Sequence, residues 1–319
     1  MKKLAFAVVT SLALAAPALA QQKIVRIQPQ LELRIPDPYV NTNYGSRNHG
    51  HFIYETLFAL DEKREPKPMM ISDYSASPDR LTWKFTLRAG LEWHDGKPVT
   101  TADVLASLER FMKKDGLGGK LMAATASLKA EDDKTFTLTL KEPFGLVLDA
   151  LAKPSGYAAF ILPERFAKMQ DNDKEFEPIG SGPFIFRKAE WKPGVKSVFD
   201  RNPKYVPRNE PPSGLAGGKV VKIDRVEWIS MPDVNTGANA MMAGEIDIIE
   251  SLAFDVMPQL RADKAITMKP SDVTGNQPYL RMNHLHPPFN NVKARQALLH
   301  IMDQDLYGQR SEEHTSELQ

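Results

Sequence analysis

Between Leu81 and Arg88 the chain reads LTWKFTLR, with Leu81, Trp83, Phe85 and Leu87 at one parity and Thr82, Lys84, Thr86 and Arg88 at the other. Successive side chains of a strand point to opposite faces, so this alternation predicts a strand with one face in a core and one in water, as in antiparallel sheets. Lys134 to Lys141 (KTFTLTLK) repeats the pattern through Phe136, Leu138 and Leu140. Pro183–Trp191 and Val195–Asp200 predict a hairpin that turns at Lys192-Pro193-Gly194. These strands predict a β-rich subdomain over residues 61–209. Ahead of it lie a buried first strand, Lys23–Gln28, a loop held open by Pro36 and Pro38, and a short helix carrying Ile53 and Leu57 four residues apart.

Past the Gly/Pro-rich stretch Asn209–Gly218 the period changes. Strands are expected at Val226–Ser230, Glu245–Glu250 and Ala265–Lys269, and helices at Asp233–Ala243 and Val256–Arg261. Such alternation is the pattern of an α/β core wrapped by helices, to which the first strand would belong, giving residues 21–60 and 210–278. Tyr279–Asn283 reads as extended. Val292–Met302 reads as a helix with Ala294, Ala297, Leu298 and Ile301 on one face.

The N-terminus changes the setting. MKKLAFAVVTSLALAAPALA joins two lysines to an apolar run and a small-x-small end, Ala18-Leu19-Ala20, which predicts a secretory signal peptide cleaved after Ala20 and hence an exported, periplasmic product. The run is too short for a membrane-spanning helix, and no second candidate follows. The chain has no cysteine, which excludes disulfides, thiolate metal sites, a cysteine nucleophile and a lipid-anchoring cysteine. Net charge is +1 and falls to −1 once Lys2 and Lys3 leave, so neither nucleic acid nor anionic lipid is an expected partner.

Candidate chemistry is sparse. In LEWHDGKPVTTADVLASLERF, Asp95-Gly96 is a turn, Thr100 or Thr101 caps a helix with Asp103 as the capping-box acid, and Val104, Leu108 and Phe111 form its apolar face. His94 and Asp95 therefore read as turn residues. No nucleophile accompanies them, and there is no G-x-S-x-G elbow, H-E-x-x-H or P-loop, so no catalytic residue is expected. The pairs His49/His51 and His284/His286 could project toward one metal ion from a strand, but neither has a third ligand, and no metal or cofactor is expected.

Four stretches carry a wider resemblance: FTLRAGLEWHDGKPVTTADVLASLERF, GSGPFIF (Gly180–Phe186), MMAGEIDIIE (Met241–Glu250) and YLRMNHLHPPFNNVKARQAL (Tyr279–Leu298). Together they resemble the family 5 extracellular solute-binding proteins, the oligopeptide, dipeptide and nickel receptors of bacterial ABC importers. The resemblance implies an α/β fold of the periplasmic-binding-protein type: a two-lobed clamp that closes on a solute by hinge motion, with an additional β-rich subdomain on the first lobe. It implies a monomeric receptor that passes a small solute, foremost a short peptide, to permease subunits in the inner membrane. Nickel chelates, haem and opines are the alternatives within the fold, and a secreted peptide hydrolase is the alternative outside it. Carried onto this chain, the family pattern places Thr42, Asn43 and Tyr44 near the ligand, Glu250 and Ser251 at a strand end facing the cleft, and Tyr279 with them on the first-lobe side.

The last ten residues, RSEEHTSELQ, continue no apolar pattern. They match the in-frame translation of a common sequencing-library adapter, so residues 310–319 are expected to be an assembly artefact. On the family pattern residues 279–309 only open the second lobe, most of which would then be missing.

Overall fold

The computed structural model describes residues 22–252, 254–270 and 280–303. The expected signal peptide, Tyr279 and the terminal decapeptide lie outside the described residues.

Strand β1 (Ile24–Gln28) opens the fold. The loop after it is anchored by Asp37, which is buried, accepts the Tyr39 N–H at 3.0 Å and pairs with Arg110 at 2.7 Å. Burial raises the pKa of the Asp37 carboxyl and the Arg110 guanidinium opposes that rise. Helix α1 (Tyr44–Ile53) follows, with Asn43 as N-cap accepting the Gly45 N–H at 2.7 Å. It ends at Ile53, four residues before the predicted helical contact at Leu57. Leu57 lies instead between β2 (Glu55–Thr56) and β3 (Phe58–Leu60), fully buried. The stop is tertiary: the Ile53 carbonyl accepts the Gly182 N–H at 2.8 Å, and a Cβ at Gly180 would sit 1.7 Å from that oxygen.

After β4 (Pro66–Pro68), which pairs with β3, come β5 (Ile71–Ala76), β6 (Thr82–Leu87), helices α2 (Thr101–Lys114) and α3 (Gly116–Ala124), then β7 (Thr125–Ala130) and β8 (Thr135–Leu140). Strands order as β5-β6-β8-β7, all antiparallel, with Phe85 opposite Phe136 and their rings stacked at 5.1 Å. The alternating pattern is realised here: Phe85, Leu87, Phe136, Leu138 and Leu140 are buried, while Thr82 and Lys84 face water. Helix α2 lays Leu108 and Met112 against that buried face. Its first turn carries the expected capping box, with the Asp103 carboxylate accepting the Thr100 N–H at 2.9 Å.

Helix α4 (Val147–Ala152), β9 (Phe160–Ile161, paired with β2) and α5 (Glu164–Ala167) lead to β10 (Phe184–Phe186) and β11 (Lys196–Arg201). Then come β12 (Arg225–Ile229), α6 (Val234–Met242), β13 (Ile248–Ile249), α7 (Met257–Ala262) and α8 (Val292–Ile301). One sheet has the order β10-β11-β12-β1-β13, with β1 parallel to both β12 and β13. The predicted hairpin exists as β10–β11, and it hydrogen-bonds into the sheet of the first strand, not into the β5–β8 meander. The strand expected at 245–250 shrinks to two residues. Residues 265–269 form no strand, because Ile266 and Met268 satisfy their apolar pattern by packing on Val256 and Leu260. On α8 no residue is buried; Ala294 and Leu298 are half-buried and Ile301 is exposed.

Candidate functional site

Because β1, β12 and β13 run parallel, their carboxyl ends share one edge, the edge where open α/β sheets gather their ligand sites. The chain leaves that edge at Gln30, at Asp233, which caps α6 through the Asn235 and Thr236 N–H groups at 3.0 Å, and at Glu250. Glu250 is held there on several sides. Its N–H donates to the Gln28 carbonyl at 3.0 Å, and its carboxylate accepts the Gln30 N–H at 3.0 Å and the Asn48 side-chain amide at 2.5 Å.

From Asn48 the network continues along α1. The Asn48 carbonyl oxygen accepts both Nε and Nη2 of Arg47, at 3.1 and 3.0 Å, and the Arg47 guanidinium lies over the Tyr44 ring at 4.1 Å from its centre. Tyr44, Arg47 and Asn48 stand three and four residues apart, so the helical period puts them on one face. The result is a continuous surface in which an exposed ring, a cation, a neutral amide and an anion follow one another. Among the described residues Arg47 pairs with no carboxylate, which leaves its charge available to an anionic group.

Of the residues predicted from sequence, Tyr44 and Glu250 are thus brought into one network. Asn43 is occupied in capping α1. Thr42 and Ser251 are exposed beside Asn43 and Glu250 in sequence, and Tyr279 lies outside the described residues. Sequence reasoning missed Gln30, Arg47 and Asn48. The last two carried a readable signal, the i, i+3, i+4 spacing from Tyr44, which becomes visible once the helix is started at Tyr44 and not near His49.

The histidines take other parts. His49 is fully buried against Phe186 and Phe199, with ring centres 4.8 and 5.7 Å apart and, among the described residues, no hydrogen-bond partner for either nitrogen. Burial pushes its pKa down to about 3. His51 Nε2 lies 3.1 Å from the Pro154 carbonyl oxygen, and burial, helped by the charge of Lys219, lowers its pKa to about 4. Two residues apart on a helix, these two rings diverge. His284 and His286 are exposed, and among the described residues no three His, Asp or Glu side chains come together to hold a metal ion. His94 accepts the Gly180 N–H on Nδ1 at 3.2 Å and sets Nε2 3.1 Å from the Gly182 carbonyl oxygen, so its neutral ring ties the turn before α2 to the GSGPF loop.

The profile described as bacterial extracellular solute-binding proteins, family 5 Middle, matches residues 65–316. The chain belongs to this family. A protein of Sinorhizobium fredii named "probable peptide ABC transporter periplasmic-binding protein" is 41% identical over 299 residues, covering 93% of this chain and 56% of the relative. The glutathione-binding protein GsiB of Salmonella paratyphi A is 29% identical over 284 residues, covering 88% of this chain and 52% of its own. Among solved structures, the periplasmic binding protein DppA of Helicobacter pylori in complex with the peptide STSA superposes with a TM-score of 0.71 at 25% identity, over 90% of this chain and 58% of that one. The chain therefore spans about half the length of the curated relatives it matches. The mixed α/β architecture with a parallel sheet edge is that of two-lobed periplasmic binding proteins.

Proposed function

We propose that this chain forms the first-lobe capture face of a periplasmic receptor for an ABC importer, and that its solute is a short peptide. The observation that carries the reading is the run Tyr44–Arg47–Asn48–Glu250. A zwitterionic peptide presents a carboxylate and an ammonium joined by amides, and this face presents a cation and an anion separated by an amide, beside a ring able to pack on a side chain. Relatives named for peptide and glutathione binding, and a structural neighbour holding a tetrapeptide, point to the same class.

In this reading residues 1–20 direct export and are removed after Ala20, and the receptor acts as a monomer. Residues 279–309 lead into the opposing lobe, and closure of the two lobes on the peptide creates the form recognised by the permease. The driving free energy is the higher affinity of the closed form for the ligand, so no covalent step is required of this chain. Thr42, Ser251 and Tyr279 complete the contact set.

A thermal-shift panel of di- to pentapeptides, sugars and metal chelates tests the assignment. Peptides are expected to raise the melting temperature, by the amount that one-site linkage gives for ligand in excess of Kd. Stabilisation by a sugar or a chelate with none by any peptide would sink it.

A further inference from the structure

At the other end of α1 the surface opens a second concavity. Its apolar walls are Phe52, Phe184, Val221 and Ile223, with His51 beside them, and it is an open, largely apolar depression of about 800 Å³. Tyr44 and Phe52 are eight residues apart, or about 12 Å along the helix axis, so this groove is distinct from the strand-end face. Two lysines line it, Lys222 exposed and Lys219 recessed. Lys219 lines the groove half-buried and makes no hydrogen bond or ion pair among the described residues.

The local sequence builds this position. Gly217 adopts a left-handed φ of +81°, and a Cβ there would lie 2.1 Å from the Pro211 carbonyl oxygen; at Gly218 a Cβ would lie 2.4 Å from the Arg208 carbonyl oxygen. Only glycine lets the two backbones approach so closely. The loop is tied down by the Gly218 N–H to the Glu210 carbonyl at 2.8 Å, and Arg208 reaches the Met69 and Ile71 carbonyls at 3.1 and 2.8 Å. Lys219 is thus set on a rigid support.

The carboxylate whose charge acts on Lys219, Glu55, is already engaged. It takes Arg88 at 3.0 Å, the Ser181 hydroxyl at 2.9 Å and the Tyr205 hydroxyl at 3.4 Å. With Arg88 balancing Glu55 and His51 neutral, Lys219 pairs with no carboxylate among the described residues. Burial pushes its pKa down, and the Glu55 charge opposes that shift.

We propose that this groove is a second binding site, which takes a small amphipathic carboxylate with its head on Lys219 and its apolar body against Phe52, Phe184, Val221 and Ile223. The recessed Lys219 ammonium offers a charge-assisted hydrogen bond that one carboxylate satisfies, and the exposed Lys222 adds positive charge beside it. Apart from Lys222 and His51 the lining is largely apolar, so the body of the ligand is apolar.

Octanoate and octanamide, equal in length and different in charge, are the probes, followed by isothermal titration at pH 7. Octanoate is expected to bind saturably, with octanamide weaker by about tenfold or more, the range of a charge-assisted hydrogen bond. Lys219→Met keeps the apolar stem and should lose octanoate binding by a similar factor, Lys219→Arg should retain it, and Arg47→Ala should leave it unchanged. Equal affinity for the two probes, no saturable octanoate binding, or undiminished binding by a folded Lys219→Met variant overturns the proposal. So does a concentration-dependent dimer that fills the groove and excludes octanoate. If Lys219→Met does not fold, the octanoate and octanamide comparison on the unaltered protein still decides. Peptide-induced stabilisation is read in the same preparation, so the two sites fail or stand separately.

Discussion

The two ends of α1 obey different rules. At the C-terminal end Ile53 is fully buried, Gly50 abuts the Phe160 ring, and the Ile53 carbonyl is locked onto Gly182. At the N-terminal end Asn43 and Tyr44 are exposed, and among the described residues the Arg47 and Asn48 side chains are tied only to one another, to the Tyr44 ring and to Glu250. One helix thus carries a packed anchor and a polar display. The lesson is that Tyr44 and Arg47 can be altered with little effect on folding because the helix is held by its buried face, which includes Gly45 and Ser46 near its start as well as Gly50 and Ile53.

The largest effect should come from breaking the anchor. Ile53→Ala removes a fully buried side chain and is expected to destabilise by about 2 to 5 kcal/mol in urea unfolding, with the spread set by how far the cavity collapses. Next comes His49, whose pKa of about 3 in the fold lies below its ordinary value near 6.5. A depressed histidine pKa means the unfolded chain takes up the proton first, so stability is full above about pH 6.5 and falls as pH drops toward 3. By pH 5 this residue contributes a loss of about 2 kcal/mol. His49→Phe should flatten the decline by about 1.4 kcal/mol per pH unit over that window, and an unchanged slope in unfolding curves between pH 7 and 5 would show that His49 is not the titrating group.

Toward the display the effects shrink. Asn43→Ala removes the cap and should lower stability by about 1 kcal/mol, with Asn43→Ser restoring most of it. Tyr44→Ala and Arg47→Ala should shift stability by no more than about 0.5 kcal/mol, as surface substitutions do, yet reduce peptide affinity in titration. A loss of fold in either variant, or full retention of affinity in both, would erase the distinction between the two ends.

How much of this was legible follows the same division. The strands around Phe85 and Phe136 were readable because alternation is a local signal and both ended half-buried as their parity demands. The capping box at Thr100 and Asp103 was readable for the same reason. The end of α1 was not, because the stop comes from Gly180 and Gly182, more than a hundred residues away in sequence. The strand expected at 265–269 failed because alternation marks an apolar face without naming what covers it. In the site, family resemblance reached Tyr44 and Glu250, whereas Arg47 and Asn48 emerged only from helical phase. Lys219 left no apolar or motif signal, and its meaning depends on the two glycines before it.

The seam in which His94 grips both Gly180 and Gly182, while Gly182 grips Ile53, has a mechanical consequence. The seam joins the turn before α2, the GSGPF loop and the foot of α1, so α1 has no freedom to slide or turn about its axis without tearing backbone contacts that glycine alone permits. On the proposed reading, a load applied by a solute at Tyr44 or Arg47 would pass through this seam to the body to which the helix is bolted.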